Sequence, residues 1–169
     1  MSGRAWKFGD GVDTDVLAPG QYMKFSIDKI ARHCLESVRP EFAAGVKPGD
    51  VLVAGRNFGI GSSREQAPQA LKHLGLACVI VESVAGLYYR NSLNLGLAVL
   101  VCKDAARIED GDKVEADPER GRIRVTHEGG ALVGQTTELQ CDPVPGFLMD
   151  MVRDGGLLPH LEKKMRARA

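Results

Sequence analysis

Two adjacent serines and an arginine stand in the stretch "NFGIGSSREQAPQAL", which begins at Asn57. An apolar run precedes it and an amphipathic run follows, so the stretch reads as a strand passing through a tight loop into a helix. Such a loop turns free backbone N–H groups toward whatever sits there, and it suits an anion. Gly59 and Gly61 let the backbone turn and approach a ligand closely. Arg64 adds a planar fork matched to a carboxylate. Amide donors and a guanidinium both favour the charged form of a hydroxyl. Ser62 or Ser63 can therefore accept a proton from a carbon acid whose carboxylate Arg64 grips. The ordinary alternative is a serine N-cap with Glu65 in the first helical turn. The string matches neither GxxxxGK[ST] nor GxGxxG, so a phosphate site is not indicated.

A second set of polar residues lies upstream in "GDGVDTDVLAPGQYMKF". Asp13 and Asp15 alternate across what reads as a short extended step within a loop. The competing reading is an Asx-type turn with solvated carboxylates. His33 and His73 fall inside expected helices, where they are structural or exposed. The cysteines are Cys34, Cys78, Cys102 and Cys141, with no CxxC pair and no metal-ligand spacing. Cys78 and Cys102 sit in apolar β-like runs and are expected to be buried thiols. No metal is assigned to this chain.

These residues need elements to hold them. "RAWKF" reads as a strand, and "SIDKIARHCLESV" has apolar positions at helical spacing, with Ser26 placed to cap it and Pro40 to end it. "VLVAG", "ACVIVE" and "LAVLVC" are buried strands separated by two helices, the βαβαβ order of a parallel sheet covered by helices. Beyond Asp104 the segments "DKVEAD", "RIRVTH" and "ALVGQTTEL" are short and turn-separated, as antiparallel strands are. A helix over "GFLMDMVRDGGLL" stops at the paired glycines. The expectation is one α/β domain over residues 1–169, with a parallel half and a β-rich second half.

Composition narrows the function. The 169 residues carry 22 Lys+Arg and 22 Asp+Glu, so no broad nucleic-acid or membrane surface is expected, and aromatic residues at 5% give RNA binding no support. The basic tail "LEKKMRARA" reads as a solvated helix end whose cations suit a helix C-terminus. The first residues hold no apolar signal core and no run is long enough to span a bilayer, so a cytoplasmic location is expected.

The exact strings say more. "NFGIGSSREQAPQAL", "GDGVDTDVLAPGQYMKF" and "RNSLNLGLAVL" resemble the small subunits of the isopropylmalate isomerase and homoaconitase group, relatives of the aconitase swivelling domain. The resemblance runs from about Phe8 to "GGLLP" near Leu158. It implies a swivelling β/β/α fold, and a separate large subunit carrying a 4Fe–4S cluster, joined as a heterodimer or heterotetramer. It implies dehydration and rehydration of a hydroxy di- or tricarboxylic acid, foremost 2-isopropylmalate in leucine biosynthesis, with homoaconitate or a methyl- or dimethylmalate as alternatives. A non-catalytic anion-binding module is the alternative of another class.

By the same resemblance Ser62 is the catalytic serine. Ser63 and Arg64 bind a substrate carboxylate, with Gly61 beside them, and Asp15 is the active-site aspartate. Tyr22, Met23, Lys24 and Phe25 form the segment that reads the substrate's variable group. Lys24 either pairs with a third carboxylate or snorkels away from an alkyl pocket. Gln66 replaces a histidine common in relatives, and Asn91 and Asn94 fix a loop or a helix end. Self-association of the isolated chain is left open.

Overall fold

The computed structural model describes residues 1–167 of the chain. In chain order the strands are β1 (Ser2–Lys7), β2 (Val51–Ala54), β3 (Cys78–Val81), β4 (Ala98–Val101), β5 (Lys113–Asp117), β6 (Arg122–Thr126) and β7 (Thr136–Gln140). The helices are α1 (Thr14–Leu17), α2 (Ile27–Arg32), α3 (Phe42–Gly45), α4 (Gln66–His73), α5 (Gly86–Asn94), α6 (Gly146–Arg153) and α7 (Leu157–Arg166). The strands form one seven-stranded sheet in the order β4-β3-β2-β1-β5-β6-β7.

β2, β3 and β4 are parallel, and β5, β6 and β7 are antiparallel, as the two kinds of sequence pattern predict. What the patterns do not reveal is the joint. β1 pairs parallel with β2 on one edge and antiparallel with β5 on the other, so the two halves share a sheet. Val51, Cys78 and Ala98 are in register, and successive side chains point to opposite faces. Val53, Ile80 and Leu100 therefore enter one core, while Leu52, Val79 and Val99 enter another behind the sheet. Every residue of β2 and β3 is buried, as expected of strands covered on both faces. β5 and β6 alternate exposed and buried, the mark of strands with one wet face.

α6 closes the first core with Met149, Met151 and Val152. α2 and α4 close the second with Ile30, Ala31, Ala67, Ala70 and Leu71. A fully buried leucine such as Leu71 contributes about 1.5–3 kcal/mol. In the antiparallel half, His127 lies between Asp112 and Thr137, with Nδ1 to Asp112 Oδ2 at 2.8 Å and Nε2 to Thr137 Oγ1 at 2.9 Å. This buried chain of polar contacts ties the β6–β7 turn to the start of β5. In α7, Lys163, Lys164 and Arg166 occupy the last turn, where cations suit the helix dipole. The final two residues of the basic tail lie outside the described residues.

Three local expectations need correction. The helix expected to run to Val38 ends at Arg32, because Leu35 takes a left-handed φ of 62° and gives its N–H to the Val16 carbonyl at 2.9 Å. That turn pulls the chain back onto α1 and leaves Val38 exposed. Ser26 stands at the N-cap of α2 with extended backbone but makes no side-chain cap bond. The aspartates at 13 and 15 do not alternate along an extended step, because Asp13 caps α1 and Asp15 lies in its first turn.

Candidate functional site

Because β1 and β2 are parallel neighbours, the chain leaves both at the same edge of the sheet. The two departing loops then pair with each other. Gly11 N–H donates to Arg56 O at 2.8 Å, Gly59 N–H to Val12 O at 2.8 Å, and Thr14 N–H to Ile60 O at 2.9 Å. On its far side the second loop is held by the β3–α5 connection, with Phe58 N–H donating to Ser83 O at 3.0 Å and Ala85 N–H to Phe58 O at 2.9 Å. The serine loop is thus stitched along both flanks, at the carboxyl ends of parallel strands where open α/β sheets hold ligands.

The stitching ends on Ser62. Its N–H donates to Thr14 Oγ1 at 3.0 Å across a separation of 48 residues. The two hydroxyl oxygens lie 3.2 Å apart. Gly61 has φ 106°, and a Cβ there would stand 2.9 Å from Thr14 Oγ1, so only glycine allows this approach. Ser62 and Ser63 are exposed, whereas Thr14 is buried. α4 begins at Gln66, with Glu65 in the cap position and no side-chain cap bond. The expectation that a serine sits at the helix mouth is therefore corrected. The Ser62 amide is committed to Thr14, and neither serine caps α4.

Arg64 turns toward α1, where its Nη1 pairs with Asp15 and donates to the Ala18 carbonyl at 3.1 Å. Its Nε and Nη2 have no hydrogen-bond partner among the described residues, which leaves part of the fork for a carboxylate. The guanidinium makes no hydrogen bond to Ser62 among the described residues. Asn91, buried on α5, donates Nδ2 to the Ser63 carbonyl at 3.3 Å and so fixes the loop, as expected of it. Asp13 is spent on its own helix, accepting from Val16 N–H at 2.8 Å.

The "YMKF" segment follows a 3-10 turn over Gly20–Tyr22, whose Gly20 borders the Arg64 fork. Tyr22 and Met23 pack against the second core, and the Tyr22 ring stacks on His33 with centroids 3.7 Å apart. Lys24 and Phe25 are exposed, with the Lys24 ammonium 5.5 Å from the Phe25 ring. The structure therefore gathers Asp15, Gly61, Ser62, Ser63 and Arg64 on one ledge, with Tyr22 and Met23 anchored behind it and Lys24 and Phe25 at its rim. His33 bonds Glu36 at 2.5 Å and His73 reaches Asp28 at 2.9 Å, both structural contacts.

Thr14 is the residue that sequence reasoning missed. Its only signal was a hydroxyl inside the "DTD" string. Periodicity says nothing about a contact between loops 48 residues apart.

The comparisons bear on what this ledge is. The aconitase C-terminal domain family matches residues 36–105. The 3-isopropylmalate dehydratase small subunit of Halothermothrix orenii is 46% identical over 96% of this chain and 95% of its own. The chain belongs to the aconitase-related dehydratase small-subunit family. Another member, the methanogen homoaconitase small subunit of Methanothermobacter thermautotrophicus, is 48% identical over 96% of this chain and 91% of its own. The crystal structure of 3-isopropylmalate dehydratase from Methanocaldococcus jannaschii superposes with a TM-score of 0.88 at 38% identity, covering 99% of this chain and 96% of that one. The dehydratase small-subunit fold thus extends over both halves of the sheet.

This small subunit's own donors do not fit an iron–sulfur cluster. All four cysteines are free and buried, Cys34 in one core and the other three in the opposite core. Among the described residues no group of three or more His, Cys, Asp or Glu side chains gathers as metal ligands. Burial pushes the thiols up, Cys78 to about 12 and Cys141 to about 11, which keeps them protonated and poor as ligands. Among the described residues no helix is long and apolar enough to cross a membrane.

Proposed function

We propose that the chain is the small subunit of a cytoplasmic hydro-lyase that isomerises 2-isopropylmalate to 3-isopropylmalate, and that Ser62 is its base. The observation that carries this reading is the paired loops, which set Ser62, Arg64 and Asp15 on one exposed ledge. The free part of the Arg64 fork binds the carboxylate beside the carbon that loses its proton. Ser62 Oγ, deprotonated, takes that proton. The C–H electron pair becomes the double bond as the hydroxyl leaves the neighbouring carbon. Return of the proton and of the hydroxyl in the opposite sense, one water in all, moves the hydroxyl by one carbon. Asp15 holds Arg64 in place from α1, and Ser63 adds a hydroxyl toward the same carboxylate.

The ledge is open on this chain, since Asp15, Ser62 and Ser63 are all exposed. A second protein surface is needed to exclude water, and the large subunit is its natural source. Lewis-acid help for the departing hydroxyl is expected of the 4Fe–4S cluster that the resemblance assigns to the large subunit. Lys24 makes no ion pair among the described residues and so is available to read a third carboxylate. Nearly equal identity to a homoaconitase small subunit supports homoaconitate as the second substrate reading.

The test is to assemble this chain anaerobically with its large subunit and follow the unsaturated acid formed from 2-isopropylmalate, homocitrate and dimethylmalate. Turnover of 2-isopropylmalate in preference to the others supports the proposal. No turnover above that of the large subunit alone overturns it.

A further inference from the structure

Among the described residues, Ser62 is held by a single neighbour. Thr14 Oγ1 accepts the Ser62 N–H at 3.0 Å and lies 3.2 Å from Ser62 Oγ. A hydroxyl that accepts one bond still has its own proton to give. Ser62 Oγ is the one other polar partner that Thr14 Oγ1 has among the described residues. The Thr14 side chain is buried, and its backbone is pinned by the bond to Ile60 O at 2.9 Å, so its hydroxyl cannot wander. The absent side chain at Gly61 opens the space in which the two oxygens meet.

We infer that Thr14 is the positioning residue of the base, fixing Ser62 through its N–H and donating its own proton to Ser62 Oγ. This inference rests on the proposed role of Ser62. At 3.2 Å the contact is longer than a resting O–H···O bond, and it shortens once the acceptor carries charge. Donation to the charged form of an oxygen favours that form, so Thr14 makes the base easier to generate. The charged groups on the two loops around it are Asp10, Asp13, Asp15, Arg56, Arg64 and Glu65, and Asp10 and Arg56 pair with each other at the root of the loops. Asp13 is bound to Val16 N–H, and Asp15 and Arg64 pair with each other, so none of these three hydrogen-bonds Ser62 Oγ. Thr14 supplies the contact that a helix N-terminus was expected to supply.

The test uses Thr14→Val, which keeps the shape and removes the hydroxyl, and Thr14→Ser, which keeps the hydroxyl, in the enzyme assembled with its large subunit. Thr14→Ala replaces the valine variant if the latter does not fold. Ser62→Ala is run beside them. The expected result is a kcat about 10–100-fold lower in Thr14→Val. Its KM stays within about 3-fold of wild type. The curve of kcat against pH moves to higher pH, because a base that loses a donor deprotonates later. Thr14→Ser restores both rate and profile. An unchanged kcat in Thr14→Val overturns the inference, as does a loss with no displacement of the pH curve, or one that Thr14→Ser fails to restore. If Ser62→Ala remains fully active, the proposed base itself falls. If only Ser62→Ala is inactive, the Thr14 inference falls alone.

Discussion

Asp10 clasps Arg56 at the root of the paired loops. Its Oδ1 accepts the Arg56 N–H at 2.8 Å, and its Oδ2 accepts from Nη2 at 2.9 Å. Gly55 makes room for this, since a Cβ there would overlap Asp10 Oδ1 at 1.9 Å. The Arg56 backbone bond, then its guanidinium, hold the Asp10 carboxyl below the usual carboxylate range. A carboxyl lowered in the folded state stabilises fully above its unfolded value, and that share is lost as pH falls through the folded value. Asp10→Asn should therefore lower Tm at neutral pH, and the gap to wild type should narrow progressively as pH falls below the ordinary carboxylate range. Asp110 and Asp154 are lowered too, but they titrate in both proteins, so the difference isolates Asp10. A gap that stays constant with pH would contradict this account of the clasp.

Gly59 lies against the base of the Tyr88 ring. It has φ 71°, and a Cβ there would fall 2.3 Å from the tyrosine ring. The ring cannot retreat, being buried and packed edge-on against Phe58 with centroids 5.2 Å apart. Gly59→Ala combines left-handed strain with overpacking, a loss of about 2–4 kcal/mol. Thermal unfolding should move down by about 5–15 °C. A change smaller than about 2 °C would mean that the loop relaxes freely, against the two-sided stitching.

The four cysteines should be silent in the native chain. Burial keeps every thiol protonated, with Cys78 pushed up to about 12 and Cys141 to about 11. Iodoacetamide at neutral pH should leave the folded protein unlabelled and modify all four cysteines in denaturant, as counted by mass. A native thiol that reacts as fast as free cysteine would contradict the burial described for it.

Much of the fold was legible because its signals are local. Val51–Ala54 and Cys78–Val81 are uninterrupted apolar runs, which only strands covered on both faces tolerate, and the alternation in Lys113–Asp117 marks a strand with one wet face. The role of β1 as joint was not legible, since pairing with both Val51 and Val114 is a long-range fact. Capping was misjudged for the same reason. Ser26 has the residue type for an N-cap and makes no cap bond, while Asp13 was left as one loop carboxylate among two and is the actual cap of α1. At the ledge, the residue types at 62 and 64 pointed to the chemistry proposed for them. The Arg64 pairing with Asp15 and the Ser62 contact with Thr14 depend on how two loops leave adjacent parallel strands, which no periodicity encodes.

The claim that Ser62 is the base is tested most directly by exchange of the substrate's transferable proton with D2O. The comparison is between wild type and Ser62→Ala, each assembled with the large subunit. The account predicts that exchange slows by about 10²–10⁴-fold in Ser62→Ala. Substrate affinity should stay within about 3-fold, because Arg64 and Ser63 still bind the carboxylate. Exchange at the wild-type rate in Ser62→Ala would contradict the account.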